Sequence, residues 1–293
     1  MKASHKGMLQ MLLTATLWSI GGIFIKQIPW NAFALAGMRS LIAGLVLFIY
    51  IRIAGIRLEI SKKTLLMALC LAGTQTSFVV ANKLTTAANA IALQYCAPVF
   101  ILIYGALFQK KKLRAADVLV VALTALGIAL FFVDQLGGGT TIGNLVGILS
   151  GVFFAGMFLT SGGIDAHSRI NGILQAQMIT FLIGIPFCLT TSMPFTFGSV
   201  TSILALGVFQ LGLSYVVYSF ATRTCPPLMC SLLAVMEPLL NPVWVFLFAG
   251  EAPGRWSLIG GIVVVGAITA WCVFNELRPQ KQAEPLSNET AGA

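Results

Sequence analysis

One acidic residue, Glu237, lies near the middle of a long apolar stretch, whereas the other acidic residues lie at the ends of such stretches, in loops or in the tail. If this stretch crosses a membrane, an unpaired carboxylate at that depth costs about 2.5–3.5 kcal/mol. Two interpretations follow. Either the carboxylate serves a small-molecule substrate, as a counter-charge for an ammonium group or as a proton-coupling site, or it accepts hydrogen bonds from backbone donors near Pro238.

The other candidates for substrate binding are polar or aromatic side chains within apolar stretches: Trp18, Gln75, Phe78, Gln94, Phe154, Gln210, Ser214, Tyr215, Tyr218 and Asn241. Gln210, Ser214 and Tyr218 recur every four residues, so they share one helix face that would meet lipid only at a cost. Asn241 follows Glu237 by about one helical turn. The structural alternative for each residue is a contact between helices, worth under about 1 kcal/mol for a hydrogen bond.

Two residues in the first half have both a functional and a structural interpretation. Trp18 lies mid-stretch, away from the headgroup depth where tryptophan usually anchors, so its ring either faces a cation or an apolar group or packs against a helix. Arg39 is able to bind a carboxylate with two parallel hydrogen bonds. For Arg39 we favour the structural interpretation, in which the side chain snorkels outward or caps backbone carbonyls.

The composition excludes a soluble fold. Only 9% of the 293 residues are charged and 58% are hydrophobic, whereas a soluble chain carries about 25% charged residues. The six cysteines include no CxxC pair, and His5 and His167 lie outside the apolar stretches. No metal or cofactor is therefore predicted. Without a buried histidine, paired aspartates or a serine beside a base, the chain is also predicted not to be an enzyme.

Apolar runs of about 20 residues, the length of one crossing, predict an all-α integral membrane protein with ten spans: 8–28, 32–51, 64–82, 86–108, 116–134, 143–163, 171–191, 199–221, 227–248 and 256–275. With a cytoplasmic N-terminus, 14 of the 18 Lys and Arg residues fall on the cytoplasmic side. The positive-inside rule therefore predicts a plasma membrane protein with both termini in the cytoplasm. This asymmetry explains the net charge of +9 without a nucleic-acid partner.

The two halves of the sequence are related. Pro98 and Pro238 both lie mid-span, 140 residues apart, and a shift of 136 aligns Trp18 with Phe154. Because each half holds five spans, an odd number, the second half is predicted to be inverted. The predicted order is a cytoplasmic segment (1–7), two repeats (8–134 and 143–275) and a disordered cytoplasmic tail (276–293). Since a proline frees a backbone carbonyl one turn earlier, both prolines are predicted to interrupt helices beside the site.

At this point the sequence resembles a known family. The stretch EPLLNPVW (237–244), which runs on to FAGEAP (248–253), is similar to the penultimate-helix signature of the EamA family in the drug/metabolite transporter superfamily. The first half has the partner version, AANA (87–90) followed by Ala97, Pro98 and Phe108, and Arg39 lies where such proteins usually carry an arginine. The chain departs from the family at QKKK (109–112), which lacks the acidic residue often present after that helix.

The resemblance implies a secondary transporter that exports small polar metabolites, foremost amino acids or related compounds, by alternating access. Its driving force is either the substrate gradient or proton exchange at Glu237. Two alternatives are an organic-cation or drug exporter, with Glu237, Trp18 and Tyr218 as an aromatic cage, and a membrane sensor or scaffold that transports nothing. The predicted partners are a small-molecule substrate, the lipid bilayer and, if transport is coupled, protons. Ten spans suffice for a monomer.

Overall fold

The computed structural model describes residues 3–21, 24, 28–85, 87–108, 110, 112–131, 133, 140–240 and 255–277, and this part of the chain is helical, without strands. The helices are α1 (Ala3–Ser19), α2 (Ala32–Ile53), α3 (Lys62–Leu84), α4 (Ala87–Gln94), α5 (Ala97–Leu107), α6 (Ala115–Phe131), α7 (Thr141–Gly162), α8 (Ala166–Thr190), α9 (Phe197–Ala205), a π-helix (Leu206–Leu213), α10 (Ser214–Ala221), α11 (Pro227–Ala234) and α12 (Arg255–Leu277). The predicted site residue Asn241 and the rest of the signature to residue 253 lie outside the described residues.

Six helical stretches in the described ranges are long and apolar enough to cross a membrane: Ala32–Ile53, Lys62–Ala81, Asn89–Leu107, Thr141–Gly162, Ala166–Thr190 and Phe197–Ala221. Shorter apolar helices accompany them at Ala115–Leu130, Pro227–Leu240 and Leu258–Trp271. Together with a sequence that is 58% hydrophobic, they make the chain a multi-pass helical membrane protein, as the composition predicted. The first helix begins at Ala3, earlier than the predicted span 8–28.

Polar side chains fix where several helices begin. Asn31 precedes α2 and accepts a hydrogen bond from the backbone N–H of Phe33 at 2.9 Å. Ser61 and Thr64 form a capping box at the start of α3, in which each side chain bonds the backbone of the other. Asp165 caps α8 through the backbone N–H groups that follow it. Such caps satisfy the first N–H groups of a helix, which have no partner within it.

Two helices are interrupted at corresponding places. In the first half, a turn at Tyr95 and Cys96 separates α4 from α5, and Pro98 lies in the first turn of α5. In the second half, α11 ends before a turn at Val235, and Pro238 lies in the helical turn that follows. Proline lacks the N–H that a helix interior requires but fits a first turn. Both helices are therefore broken shortly before the proline.

One irregularity was not predicted. The segment Leu206–Leu213 is a π-helix, so the regular α-helical spacing that we assumed between Gln210 and Ser214 is wrong for this segment. Its two glycines, Gly207 and Gly212, lower the helix propensity. They also let α2 approach, since a Cβ on Gly212 would lie 2.9 Å from the Cβ of Val46. π-helical turns occur frequently at functional sites.

The packing of the helices brings both halves of the chain together. α3 lies against α7 and α8, α2 lies against α8 and the π-helix, and α1 lies against α10 and α11. α6 packs with α12. The backbones of α2 and α8 come very close at Gly37 and Gly184, where a Cβ on Gly37 would lie 2.9 Å from the Cα of Gly184. Small residues allow such contacts between membrane helices.

Candidate functional site

The residue at the centre of the buried core is Trp18 of α1, whose side chain is 4% exposed. Its ring lies 6.2 Å from Phe154, 5.5 Å from Tyr215 and 5.9 Å from Tyr218, measured between ring centroids. Its indole Nε1 donates a hydrogen bond to Ser214 Oγ at 2.9 Å. Separations of this size are favourable for aromatic pairs. Five residues predicted for the site thus meet here, where α1 packs against α10.

The carboxylate that the sequence singled out joins the same region. Glu237 accepts a hydrogen bond from the hydroxyl of Tyr95, which lies in the turn between α4 and α5. The Tyr95 ring meets Phe154 edge-on, with 5.7 Å between centroids. The partner of Glu237 among the described residues is therefore a side chain of the other half, and not the backbone donors of the structural alternative. We did not predict Tyr95 for the site, although its position next to Gln94, about one turn before Pro98, indicated it.

Gln75 of α3 connects four helices. Its Oε1 accepts hydrogen bonds from Ser40 Oγ of α2 at 3.3 Å and from Thr180 Oγ1 of α8 at 3.2 Å. Its Nε2 donates to the hydroxyl of Tyr215 of α10 at 3.4 Å. Ser40 and Thr180 were not predicted, because the sequence does not indicate which polar groups of separate helices face each other. We call the residues Trp18, Gln75, Tyr95, Phe154, Ser214, Tyr215, Tyr218 and Glu237 the central cluster.

Arg39 contradicts our expectation for it. The side chain neither snorkels outward nor caps carbonyls: it is 4% exposed, its Nε has no hydrogen-bond partner, and no ion pair or hydrogen bond joins the guanidinium to any residue that the structure describes. Its charge interacts instead with Tyr215 and Glu237 of the central cluster. The sequence suggested snorkelling because it gave the depth of Arg39 but not the direction of its side chain.

The remaining predicted residues lie at the edge of the cluster. Gln94 accepts a hydrogen bond from Ser150 Oγ of α7 at 2.9 Å, which is a bond between helices. Gln210 reaches the backbone carbonyl of Trp18 with its Nε2 at 3.5 Å, and its Oε1 has no partner among the described residues. Phe78 is half-buried and lies about one turn after Gln75 on α3.

Two cavities lie apart from the central cluster. One of about 460 Å³ lies between α5 and α6 and has aliphatic walls, including Val99 and Val121. The other, of about 270 Å³, is bordered by Asn89 and Asn144. None of the predicted site residues lines either cavity. Within the described ranges, moreover, no group of three His, Cys, Asp or Glu side chains is placed to hold a metal ion.

The fold and the buried polar cluster are those of a multi-pass helical membrane protein, and comparison with known proteins shows which of them it resembles. The EamA-like transporter family matches residues 5–133. This match agrees with the resemblance predicted from the sequence, and it covers residues 5–133 of the 293 in the chain.

Similarity to known proteins extends beyond the matched half. The chain is 22% identical to the uncharacterized transporter YxxF of Bacillus subtilis, over 97% of this chain and 94% of that protein. It is 24% identical to the pseudopaline exporter CntI of Pseudomonas aeruginosa, over 90% of this chain and 95% of that protein. A solved crystal structure has the same fold, with a TM-score of 0.77 and 18% identity, over 93% of this chain and 99% of that chain.

Proposed function

We propose that the protein is a secondary transporter that exports small polar metabolites, with amino acids or related compounds as its cargo, by alternating access. The observation that carries the proposal is the hydrogen bond from Tyr95 to Glu237. A carboxylate among membrane helices is costly, and such residues mark substrate or proton pathways. Glu237 is partly buried, and the ring of its partner Tyr95 meets Phe154 of the second half.

The proposed architecture is ten spans arranged as two inverted five-helix repeats. The helix contacts support it, because α1 lies against α10 and α11 in the second half, while α7 lies against α3, α4 and α5 in the first. The two interrupted helices also occupy corresponding places. In secondary transporters, interrupted helices of inverted repeats border the substrate site, and one repeat moves against the other. We also propose that both termini lie in the cytoplasm, because the basic residues are distributed asymmetrically.

Export is the direction we propose. A relative of similar length is named as an exporter of pseudopaline, which supports outward movement of a polar metabolite. The driving force is either the substrate gradient or proton exchange at Glu237. Because one chain supplies both halves of the transport pathway, a monomer suffices.

A second candidate is the export of organic cations. The observation that favours it is the tyrosine beside Glu237, since Tyr95 bonds the carboxylate and its ring meets Phe154. Aromatic faces and a carboxylate together recognise an ammonium group. A sensor or scaffold that transports nothing is the alternative from another class, and a flux measurement separates it from both transporters.

The test is counterflow in proteoliposomes, with a panel of labelled amino acids and organic amines. We expect the wild type to exchange an amino acid in a saturable manner. Glu237→Gln should either lose this exchange or no longer concentrate the amino acid under a pH gradient. Glu59→Gln is the matched control, because Glu59 is exposed in the loop between α2 and α3. Exchange of amines alone would favour the second candidate. No exchange by folded protein would contradict transport of these solutes.

A further inference from the structure

Arg39 carries a positive charge that is buried and that no residue described by the structure pairs through an ion pair. Arg39 is 4% exposed, and no hydrogen bond or ion pair reaches it from the described residues. The guanidinium carries five N–H donors and stays charged at any physiological pH. Leaving such a group unpaired in a low-dielectric interior is strongly unfavourable. A ligand with an anionic group would supply the missing partner.

The helix that bears Arg39 is fixed on several sides. Ser40 bonds Gln75 of α3, and Gly37 touches Gly184 of α8. The backbone carbonyl of Arg39 itself faces Gly207 of the π-helix, where an added Cβ would lie 3.2 Å from the oxygen. Rotation of α2 to bring the arginine to the membrane surface would break these contacts. The guanidinium thereby stays buried, within electrostatic reach of Tyr215 and Glu237.

A second arginine shows how this fold satisfies a buried guanidinium when its role is structural. Arg169 of α8 is also buried, and it donates to the backbone carbonyls of Ser161 at 2.8 Å, Ser219 at 2.8 Å and Ile164 at 2.7 Å. These bonds join the end of α7 and the loop after it to α10. Arg39 has none of these partners, and it forms no ion pair with Glu237, whose carboxylate is bonded by Tyr95. Arg169 is therefore a structural arginine, whereas Arg39 has donors available for an anionic ligand.

We propose that Arg39 binds the carboxylate of the transported substrate, while Glu237 faces its ammonium group. The inference rests on the proposed function and narrows it to solutes that carry both charges. A guanidinium binds a carboxylate through two parallel hydrogen bonds, a geometry that the point charge of lysine does not reproduce. Because the arginine and the carboxylate come from different halves, a zwitterion contacts both repeats at once. Solutes with only the positive charge leave Arg39 unpaired.

The first experiment measures binding in detergent by the rise in thermal unfolding temperature that a ligand produces. The probes are proteinogenic amino acids, their methyl esters and the amines formed from them by decarboxylation. We expect the free acids to stabilise the wild type and to bind roughly tenfold or more tightly than the esters and amines. Arg39→Lys should weaken binding of the acids by roughly tenfold, and Arg39→Met should abolish the preference for the carboxylate. Equal binding of acids and esters by the wild type would overturn the proposal.

The second experiment distinguishes this role from a structural one. Without ligand, Arg39→Met should unfold at the wild-type temperature or above it, because an apolar side chain of similar size replaces an unpaired charge. Arg169→Met is the matched control and should unfold at a clearly lower temperature, since three backbone carbonyls lose their donor. If Arg39→Met is destabilised as strongly as Arg169→Met, Arg39 is structural and the proposal fails.

Counterflow then separates this inference from the proposed function. Carboxylate-dependent binding that Arg39→Met removes, without counterflow of any bound acid, would contradict transport and leave Arg39 as a carboxylate-binding residue. Counterflow of amino acids at the wild-type rate by Arg39→Met would leave transport intact and overturn the role of Arg39. If folded protein neither binds nor exchanges any probe, both proposals fail.

Discussion

Tyr95 of the first half of the chain donates a hydrogen bond to Glu237 of the second half, and both residues lie at interruptions of corresponding helices. Tyr95 is in the turn between α4 and α5, while Glu237 follows the turn at Val235. The bond therefore joins the two halves where each of these helices is irregular. A movement of one half against the other must carry both irregular segments together or break the bond.

Replacement of Tyr95 by phenylalanine removes the described donor to Glu237 and keeps the ring against Phe154. We expect the free energy of unfolding to fall by about 1–3 kcal/mol, because the carboxylate of Glu237 loses its described donor, and amino acid counterflow to slow. Tyr104→Phe is the control, because Tyr104 of α5 is 39% exposed. Counterflow by Tyr95→Phe that equals the wild type would mean that the bond has no part in transport.

The bond between Trp18 and Ser214 is suited to a double-mutant cycle. Trp18→Phe keeps an aromatic ring but removes the Nε1 donor, and Ser214→Ala removes the acceptor that receives it at 2.9 Å. We expect a coupling energy of about 1 kcal/mol between the two changes in detergent unfolding, because they disrupt one shared hydrogen bond. A coupling energy near zero would show that the two residues contribute to stability independently.

The sequence predicted the helical membrane fold and the two interrupted helices, because apolar length and the position of proline are local signals. These predictions depend on properties that a residue carries with it. They succeed without knowledge of which helices are neighbours.

What the sequence did not predict depends on neighbours. The direction of the Arg39 side chain follows from α2 being held between α3, α8 and the π-helix, and nothing in the residues near Arg39 encodes that. Tyr95 was passed over because its partner lies 142 residues away. The π-helix was missed because the same residue types also form α-helices. The two kinds of helix differ by one residue in the spacing of their backbone hydrogen bonds, and composition does not reveal that difference.

The N-terminal cap of α8 gives a prediction on pH. Asp165 accepts hydrogen bonds from Ser168 Oγ, from the Ser168 backbone N–H and from the His167 backbone N–H, and these bonds lower the pKa of its carboxyl below the usual value. A lowered pKa in the folded state stabilises the fold above the carboxyl's unfolded pKa, and this contribution is lost as the pH falls through the folded pKa.

We therefore expect Asp165→Ala to lower the free energy of unfolding by about 1 kcal/mol at neutral pH, the typical value of a cap. The difference from the wild type should shrink as the pH falls below about 3.9, the usual aspartate pKa, and on through the lowered pKa of the folded state. Chemical unfolding of both proteins in detergent at several pH values measures this difference in the free energy of unfolding. A difference that stays constant over this range would show that the charge of Asp165 contributes nothing to the cap.

A close approach of α2 and α8 predicts opposite results for two glycines of α2. A Cβ on Gly37 would lie 2.9 Å from the Cα of Gly184, which is backbone and unable to move aside alone. A Cβ on Gly44, two turns further along, would lie 3.7 Å or more from Gln177 and Met178 of α8, an ordinary contact. The two sites therefore differ in available space although they share one helix and one residue type.

Gly37→Ala should force α2 and α8 apart and lower the free energy of unfolding by about 1–3 kcal/mol. Gly44→Ala should leave it unchanged or raise it slightly, because alanine is the better helix former. Thermal unfolding of both variants in the same detergent tests the pair. If the two substitutions prove equally harmless, α2 and α8 do not approach each other at Gly37 as closely as the structure has them.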